Sequence, residues 1–164
     1  MARTQGGTAN RQGRILERTV VPIFESHGFE VVSYSTWSKK PTDYGTELLL
    51  KHVPYTTIYN QKGYTEFLIK SERFGLNVRI ECKWQQSSGS VDEKLPYLYL
   101  NCIETMPERD IIIVAGGGGM KPGAIPWLKE AVSQKKYVQP DAHEKNIQVF
   151  SIEEFMAWAN RTLK

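Results

Sequence analysis

The chain has 164 residues, of which 21 are basic and 18 acidic, giving a formal net charge of +3. A chain of this length is able to bury its own hydrophobic core as one domain. No apolar run approaches the roughly 18 residues of a membrane span, and the first residues lack the apolar stretch of a signal peptide, so we expect a soluble cytoplasmic protein. Cys82 and Cys102 lie in apolar runs without metal-ligand spacing, which indicates reduced core residues.

Basic residues are concentrated at the N-terminus. Four arginines accompany a single acid, Glu17, within the first 18 residues. We expect residues 1–11 to form a flexible basic arm that lies along a phosphate backbone, with Arg11 and Arg14 in contact with it. A frayed and solvated terminus is the alternative interpretation.

Apolar spacing predicts the elements of the first half of the chain. A helix is expected over 12–27, with Gly28 as its C-cap and Pro22 as an interruption. A strand over 29–34 and a loop over 35–46 come next. Four extended runs then predict a mostly antiparallel meander, at 47–53, 56–60, 65–69 and 76–84.

The second half alternates helices and strands. Ser90 and Glu93 have the spacing of a capping box and predict a helix start, as Ser151 and Glu154 do for the terminal helix. Between them lie a buried strand at 110–115, a glycine run at 116–119, a helix at 124–134 and a strand at 147–150. The order predicts an α/β fold in which helices flank a mixed sheet, in one domain over residues 1–164.

The last strand of the meander divides its side chains between two faces, because alternate residues of a strand point to opposite sides. The predicted core face carries Val78, Ile80, Cys82 and Trp84. The opposite face is polar and is predicted to face solvent, with Arg79, Glu81, Lys83 and Gln85.

Glu81 and Lys83 are therefore expected to lie side by side. A carboxylate there can bind a divalent cation while the ammonium lies beside the water that the cation activates. Glu66, on the preceding strand, would add a second carboxylate across the hairpin. Such a group suits phosphodiester hydrolysis, in which negative charge grows on the phosphorus oxygens.

A Glu-x-Lys tripeptide is common, and a solvated strand face with cross-strand ion pairs is the alternative. The chain also contains Asp92-Glu93-Lys94 at a predicted helix start, where residues two apart point in different directions.

The stretch 65–101 resembles the active-site hairpin and following helix of the PD-(D/E)XK nuclease superfamily. The resemblance is to small stand-alone bacterial and phage members that are similar to restriction endonucleases. It includes an acid at the start of a strand (Glu66), the Glu-x-Lys of Glu81 and Lys83, the trailing Gln85, and the turn into a helix. An acidic residue in the first helix, Glu17, also fits.

This resemblance implies a restriction-endonuclease-like fold and a Mg²⁺- or Mn²⁺-dependent DNA endonuclease that leaves 5′-phosphate and 3′-hydroxyl ends. Glu66 and Glu81 would ligate the metal together with the backbone carbonyl of Cys82. Lys83 would orient the attacking water and stabilise the transition state. Glu17 would lie at the edge of the metal site, and Gln85 would fix Lys83 or a phosphate oxygen.

One departure from the family pattern concerns the first acid, which is usually Asp. Glu66 stands in that place without a preceding proline. Asp43, close to Pro41, is a rival for the role, but it lies in a predicted loop 38 residues before Glu81, whereas Glu66 lies 15 residues before it.

Other residues have two interpretations each. Ser88 and Lys94 are able to contact phosphate near a helix start, or to be plain solvated residues. The glycine run 116–119 is able to cradle a nucleotide, or to be a flexible turn. The aromatic side chains near the hairpin are able to stack on unpaired bases, or to pack in the core and across strands; they are Trp37, Tyr55, Tyr59 and Tyr64.

The rival function is a non-catalytic module that binds nucleic acid or a protein on a degenerate nuclease scaffold. We also expect a homodimer, because a two-fold pair offers one active site to each strand of a duplex. Tyr97, Tyr99 and Trp158 are the residues proposed to be exposed for such an interface.

Overall fold

The computed structural model describes the backbone from Gly6 to Lys164 and the side chains from Arg14 onward. Within this range the helices are α1 Gly6–Ser26, α2 Tyr34–Trp37, α3 Leu95–Glu104, α4 Ala124–Ser133 and α5 Ile152–Thr162. The strands are β1 Glu30–Ser33, β2 Leu48–Thr56, β3 Lys62–Ser71, β4 Leu76–Trp84, β5 Asp110–Gly116 and β6 Asn146–Phe150. Short 3-10 turns occupy Pro41–Asp43 and Asp92–Lys94.

The six described strands form one mixed sheet in the order β1-β2-β3-β4-β5-β6. The central strands β2, β3 and β4 are antiparallel neighbours, as the predicted meander requires. The outer pairs β1–β2, β4–β5 and β5–β6 are parallel. Each parallel pair needs a crossover, and helices supply it on the faces of the sheet. The prediction of a mixed sheet flanked by helices is confirmed.

Two hydrophobic layers enclose the sheet. On one face α1 packs through Leu16, Val20 and Phe24, which recur every four positions and are at most 1% exposed, and α5 packs through Phe155. On the other face α3 and α4 cover β5 through residues such as Leu98 and Leu128. The sheet is thus covered on both sides, which makes the middle of β4 a buried environment.

Several predicted boundaries are wrong. The helix α1 begins at Gly6 rather than at residue 12, so residues 6–11 of the predicted arm are helical, and residues 1–5 lie outside the described range. The predicted loop 35–46 contains α2 and a 3-10 turn. The predicted strand 56–60 is the turn between β2 and β3, because β2 runs through Pro54 to Thr56 and Asn60 has a φ of 57°.

The polar face of β4 is buried, which corrects the prediction that it faces solvent. Arg79 is 2% exposed and makes a bidentate ion pair with Glu108, which precedes β5. Its guanidinium also donates to the carbonyls of Val53 and Pro54 and to the hydroxyl of Thr65, at 2.9–3.2 Å. Arg79 therefore ties β2 and β3 to β4 through fully used donors.

Within the described residues, the structure contains no helix with the length and apolarity needed to cross a membrane. Cys82 and Cys102 are buried and free, as predicted.

We predict that Glu108→Ala lowers the free energy of unfolding by about 3–5 kcal/mol, because it leaves the Arg79 charge buried without its partner. Denaturant unfolding followed by circular dichroism measures this loss. The control is Glu144→Ala, which breaks the exposed Arg109–Glu144 pair at 3.3 Å and should cost less than about 1 kcal/mol. Equal losses in the two variants would show that Arg79 does not depend on Glu108.

Candidate active site

The strands β3 and β4 part in the middle of the sheet. Their ladder ends at the pair Phe67↔Ile80, whereas β3 continues beside β2 back to Lys62, and β4 continues beside β5 on to Trp84. We call this division of the sheet the fork. Glu66 and Glu81 are the next residues on its two branches, so the fold brings the two predicted acids to the same place.

Glu81 and Lys83 project from one face of β4, as the strand period predicts. Glu81 is 6% exposed, and the Lys83 ammonium donates to its Oε1 atom. The second carboxylate oxygen, Oε2, is buried and has no hydrogen-bond partner among the described residues. A buried oxygen without a donor is costly. It is also a free ligand position for a cation.

The pKa of Lys83 reflects two opposing effects. Burial disfavours the ammonium, but the charge of Glu81 and the hydrogen bond to it outweigh that effect and raise the pKa above its usual value. Lys83 is therefore charged at neutral pH, which makes it an electrostatic group and a hydrogen-bond donor rather than a general base.

Glu66 is a partly buried carboxyl group with a strongly shifted pKa. Burial first, and then the negative charge of Glu81, raise the pKa of Glu66 from 4.5 to about 7. Lys83 partly offsets this shift, and Glu17 adds to it. The electrostatic coupling shows that these carboxylates act on one another across the fork, where a bound cation would relieve their repulsion.

Glu17 lies on α1 and forms an ion pair with Lys51 of β2 at 3.3 Å. This contact brings the middle of α1 to the side of the fork. Arg14, one turn earlier on the same helix, is exposed and lies on the same side of α1 as Glu17 because residues three apart share a helix face. The side chain of Arg11 lies outside the described range.

Gln85 has internal partners and no hydrogen bond to Lys83 among the described contacts. Its amide nitrogen donates to the carbonyl of Gly119 at 2.9 Å. Its amide oxygen accepts from the backbone N–H groups of Val91 and Asp92, at 2.8 and 3.2 Å. Gln85 therefore fixes the end of β4 to the glycine run and to the turn that leads into α3.

The capping box predicted at Ser90 is not formed. The helical turn begins at Asp92 without a side-chain cap of its own, and α3 follows from Leu95. The Gln85 side chain takes the place that Ser90 was expected to fill, because it satisfies N–H groups at the start of this turn. At the other predicted box, Ser151 and Glu154 cap α5 reciprocally.

The glycine run packs against the backbone that follows β4. A Cβ atom at Gly117 would lie 2.4 Å from the carbonyl oxygen of Gln85, and one at Gly119 would lie 2.5 Å from the backbone nitrogen of Ser87. Gly117 also has a φ of 108°. Gly117 and Gly119 are needed for this close approach, because a side chain at either position would clash with the backbone. Backbone packing therefore accounts for the glycine run, and no bound nucleotide is needed to explain it.

The remaining predicted residues lie away from the fork or on the surface. Ser88, which precedes the 3-10 turn before α3, and Lys94, the last residue of that turn, are exposed. Asp43 is exposed in the 3-10 turn that follows α2. Glu66, in contrast, lies directly beyond the last pair of the β3–β4 ladder and is partly buried at the fork.

The fork fits a cation held by few protein ligands. Among the described residues, no group of three or more His, Cys, Asp or Glu is arranged to hold a metal ion. Mg²⁺ commonly uses only one or two carboxylates and completes its shell with water and substrate oxygens. Glu66 and Glu81 supply two such carboxylates. Burial raises the pKa of Glu66, and Oε2 of Glu81 has no partner among the described residues.

Sequence reasoning missed two groups around the fork. The strand period predicts a solvent face for Arg79, because its partners are distant in sequence and only the fold reveals them. Tyr55 is half-buried, with its ring centre 5.6 Å from the Arg79 guanidinium, and burial and the charge of Glu81 raise its pKa to about 12. The signal available in the sequence for a structural cation was the position of Arg79, two residues before Glu81.

We predict that the metal-free protein loses stability as the pH rises. Folding raises the pKa of Glu66, so this carboxyl group does not lower the free energy of unfolding below about pH 4.5, where it is protonated in both states. It lowers the free energy of unfolding by the full amount above about pH 7. The shift from 4.5 to about 7 corresponds to a loss on the order of 3 kcal/mol. Glu66→Gln should remove this loss.

Urea unfolding in EDTA at several pH values checks this prediction. Glu153→Gln, at an exposed position of α5, is the control and should keep the wild-type pH dependence. Parallel stability curves for wild type and Glu66→Gln would contradict the assigned environment of Glu66.

The geometry can be compared with known proteins. A family model described as the PD-(D/E)XK nuclease superfamily domain matches residues 8–163. No curated protein and no solved structure shows a significant match. The matched range includes most of α1, both branches of the fork and the helices α3, α4 and α5. The chain belongs to the PD-(D/E)XK nuclease superfamily.

Proposed function

We propose that the protein is a metal-dependent DNA endonuclease that leaves 5′-phosphate and 3′-hydroxyl ends. The observation that carries the proposal is the buried Glu81–Lys83 pair at the fork, with Glu66 on the opposite branch. Burying these charges together is costly for a fold. The cost is understandable if they act on a phosphodiester.

The proposed metal ligands are Glu66, Glu81 and the backbone carbonyl of Cys82, and the proposed ion is Mg²⁺ or Mn²⁺. A bound ion of this kind lowers the pKa of water and offsets the charge that develops on phosphate oxygens. The unpartnered Oε2 of Glu81 supports this assignment. Glu66 supports it as well, because a bound cation would stabilise the negative charge of this partly buried carboxylate.

Lys83 is proposed to contact the reacting phosphate and the attacking water. Its ammonium is charged at neutral pH and is mostly buried, with 19% of the side chain exposed. A cation in such a site stabilises developing negative charge more strongly than one in bulk water. Its present contact with Glu81 keeps the ammonium beside the proposed metal position.

Other predicted residues are proposed to support the reaction or hold the substrate. Glu17 lies at the edge of the fork, where it affects the charge of Glu66. Gln85 is proposed as a positioning residue, because it joins the end of β4 to the start of α3. The proposed phosphate contacts are Arg11, Arg14, Ser88 and Lys94.

The rival function, a binding module without catalysis, differs in its response to metal. A nuclease cuts DNA when Mg²⁺ or Mn²⁺ is added and stops in EDTA. A binding module shifts DNA in a gel under both conditions and leaves it intact. Plasmid DNA with purified protein distinguishes the two directly.

We predict that Glu81→Gln and Lys83→Met each lower the cleavage rate by at least about a hundredfold, because each removes a charge that acts on the transition state. Glu66→Gln should also weaken cleavage and raise the metal concentration required, whereas Asp43→Asn should not. Initial rates of plasmid cleavage at several Mg²⁺ concentrations measure both effects.

The matched controls are Glu153→Gln and Lys129→Met, which change exposed residues on helices and should cut at the wild-type rate. Circular dichroism checks that each variant is folded. Full activity in folded Glu81→Gln or Lys83→Met would refute the assignment. Loss of activity in Asp43→Asn, with Glu66→Gln active, would move the first ligand to the loop before β2.

We also predict a homodimer in solution, so that two sites face the two strands of a duplex. Tyr99 is 1% exposed and hydrogen-bonded within the chain, which removes it from the proposed interface. Light scattering with and without DNA measures the mass. A mass near 18.8 kDa under both conditions, together with nicked plasmid as the first product, would show a monomer.

A further inference from the structure

The hairpin branch of the fork carries an exposed aromatic stack. The rings of His52 and Tyr64 are parallel within 7°, with their centroids 3.9 Å apart. The Lys62 ammonium lies 5.5 Å from the centre of the same tyrosine ring. Tyr64 is 42% exposed, and His52 and Lys62 are exposed as well. We call these three residues the platform.

The platform adjoins the proposed active site. The ladder between β2 and β3 is registered at Lys51↔Phe67 and at Val53↔Thr65. One residue remains on each strand between these pairs, His52 on β2 and Glu66 on β3, and the two are not themselves a ladder pair. Tyr64 precedes Glu66 by two residues, a distance of about 7 Å along a strand.

The charge around the platform suits a polyanion. Between Leu48 and Thr65 the chain carries Lys51 and Lys62 but no Asp or Glu. The acids beside this segment are Glu66, which follows it, and Glu17, which pairs with Lys51. Arg14 is exposed and lies on the same side of α1 as Glu17. Glu17 is the residue of α1 that contacts Lys51. A flat ring stack bordered by cations matches the two parts of a nucleotide, its base and its phosphate.

The backbone at His52 also needs an explanation. Its φ is 54°, in the left-handed region that non-glycine residues seldom occupy. Glycine or asparagine would fit this conformation at a lower cost. In this conformation the His52 side chain is exposed and its ring stacks on Tyr64.

We propose that the platform binds an unpaired DNA base next to the scissile phosphate, with the base stacked on His52. This inference rests on the proposed nuclease function and specifies its substrate as DNA with unpaired nucleotides at the cleavage point. A base within a duplex has both faces covered by its neighbours, so a side-chain ring stacks only on a base that has left the helix.

Fluorescence anisotropy in EDTA tests the proposal without catalysis, using a labelled single strand and a blunt duplex of the same sequence. Wild type should bind the single strand more tightly than the duplex. His52→Asn, which tolerates a positive φ but has no ring, should weaken single-strand binding about tenfold. Its affinity for the duplex should stay within about twofold, because cationic phosphate contacts remain.

The control variant is Tyr137→Ala, which removes an exposed tyrosine (62%) outside the hairpin and should bind both DNA forms as wild type does. Thermal unfolding of His52→Asn should match wild type, since the backbone conformation is preserved.

Three results would overturn the proposal: equal affinity of wild type for both DNA forms, unchanged single-strand binding by His52→Asn, or equal weakening on both forms. Cleavage in Mg²⁺ is measured separately. A protein that cuts DNA but shows any of these three results retains its proposed function and loses this substrate assignment. A protein that binds through the platform but never cuts retains the binding site and loses the proposed chemistry.

Discussion

The parting of β3 and β4 is the constraint on which the site depends. Two adjacent strands that diverge leave unpaired backbone edges and a gap in the sheet, both of which are costly when covered by helices. Arg79 lies one residue before the point of separation and bonds to β2, to β3 and to Glu108. Its planar guanidinium satisfies several acceptors at once, which stabilises the two branches in their separated positions.

The fork concentrates charge in a place from which water is largely excluded. Glu81, Lys83 and Arg79 lie on one face of β4, and their burial strengthens every interaction among them. The same burial raises the pKa of Glu66 to about 7. Stability and chemistry therefore oppose each other here, since an apolar strand would fold more favourably but would offer nothing to a cation or a phosphate.

Much of the fold was predictable because its signals are local. The alternation of β4, the apolar run of β5 and the capping box at Ser151 each depend on residues close in sequence, and each appears in the structure. The turn at 56–60 was mistaken for a strand because β-branched and aromatic residues favour strands. Its tight geometry depends instead on Asn60 and its positive φ.

The site was predictable only in part. The period of a strand places Glu81 beside Lys83, and a hairpin places Glu66 near them. The burial of that face was not predictable, because the partners of Arg79 come from distant parts of the chain, Glu108 before β5 and the carbonyls of Val53 and Pro54 in β2. The role of Gln85 in capping the turn at Asp92 was hidden for the same reason, since Ser90 supplied a more obvious local candidate.

We propose that Glu66 and Glu81 bind one divalent cation at the fork. Crystals of the protein soaked in Mn²⁺, with anomalous scattering recorded, test this most directly. We expect an anomalous peak between the carboxylates of Glu66 and Glu81, within bonding distance of Glu81 Oε2. A peak elsewhere, with Oε2 still unpartnered and Lys83 unmoved, would contradict it.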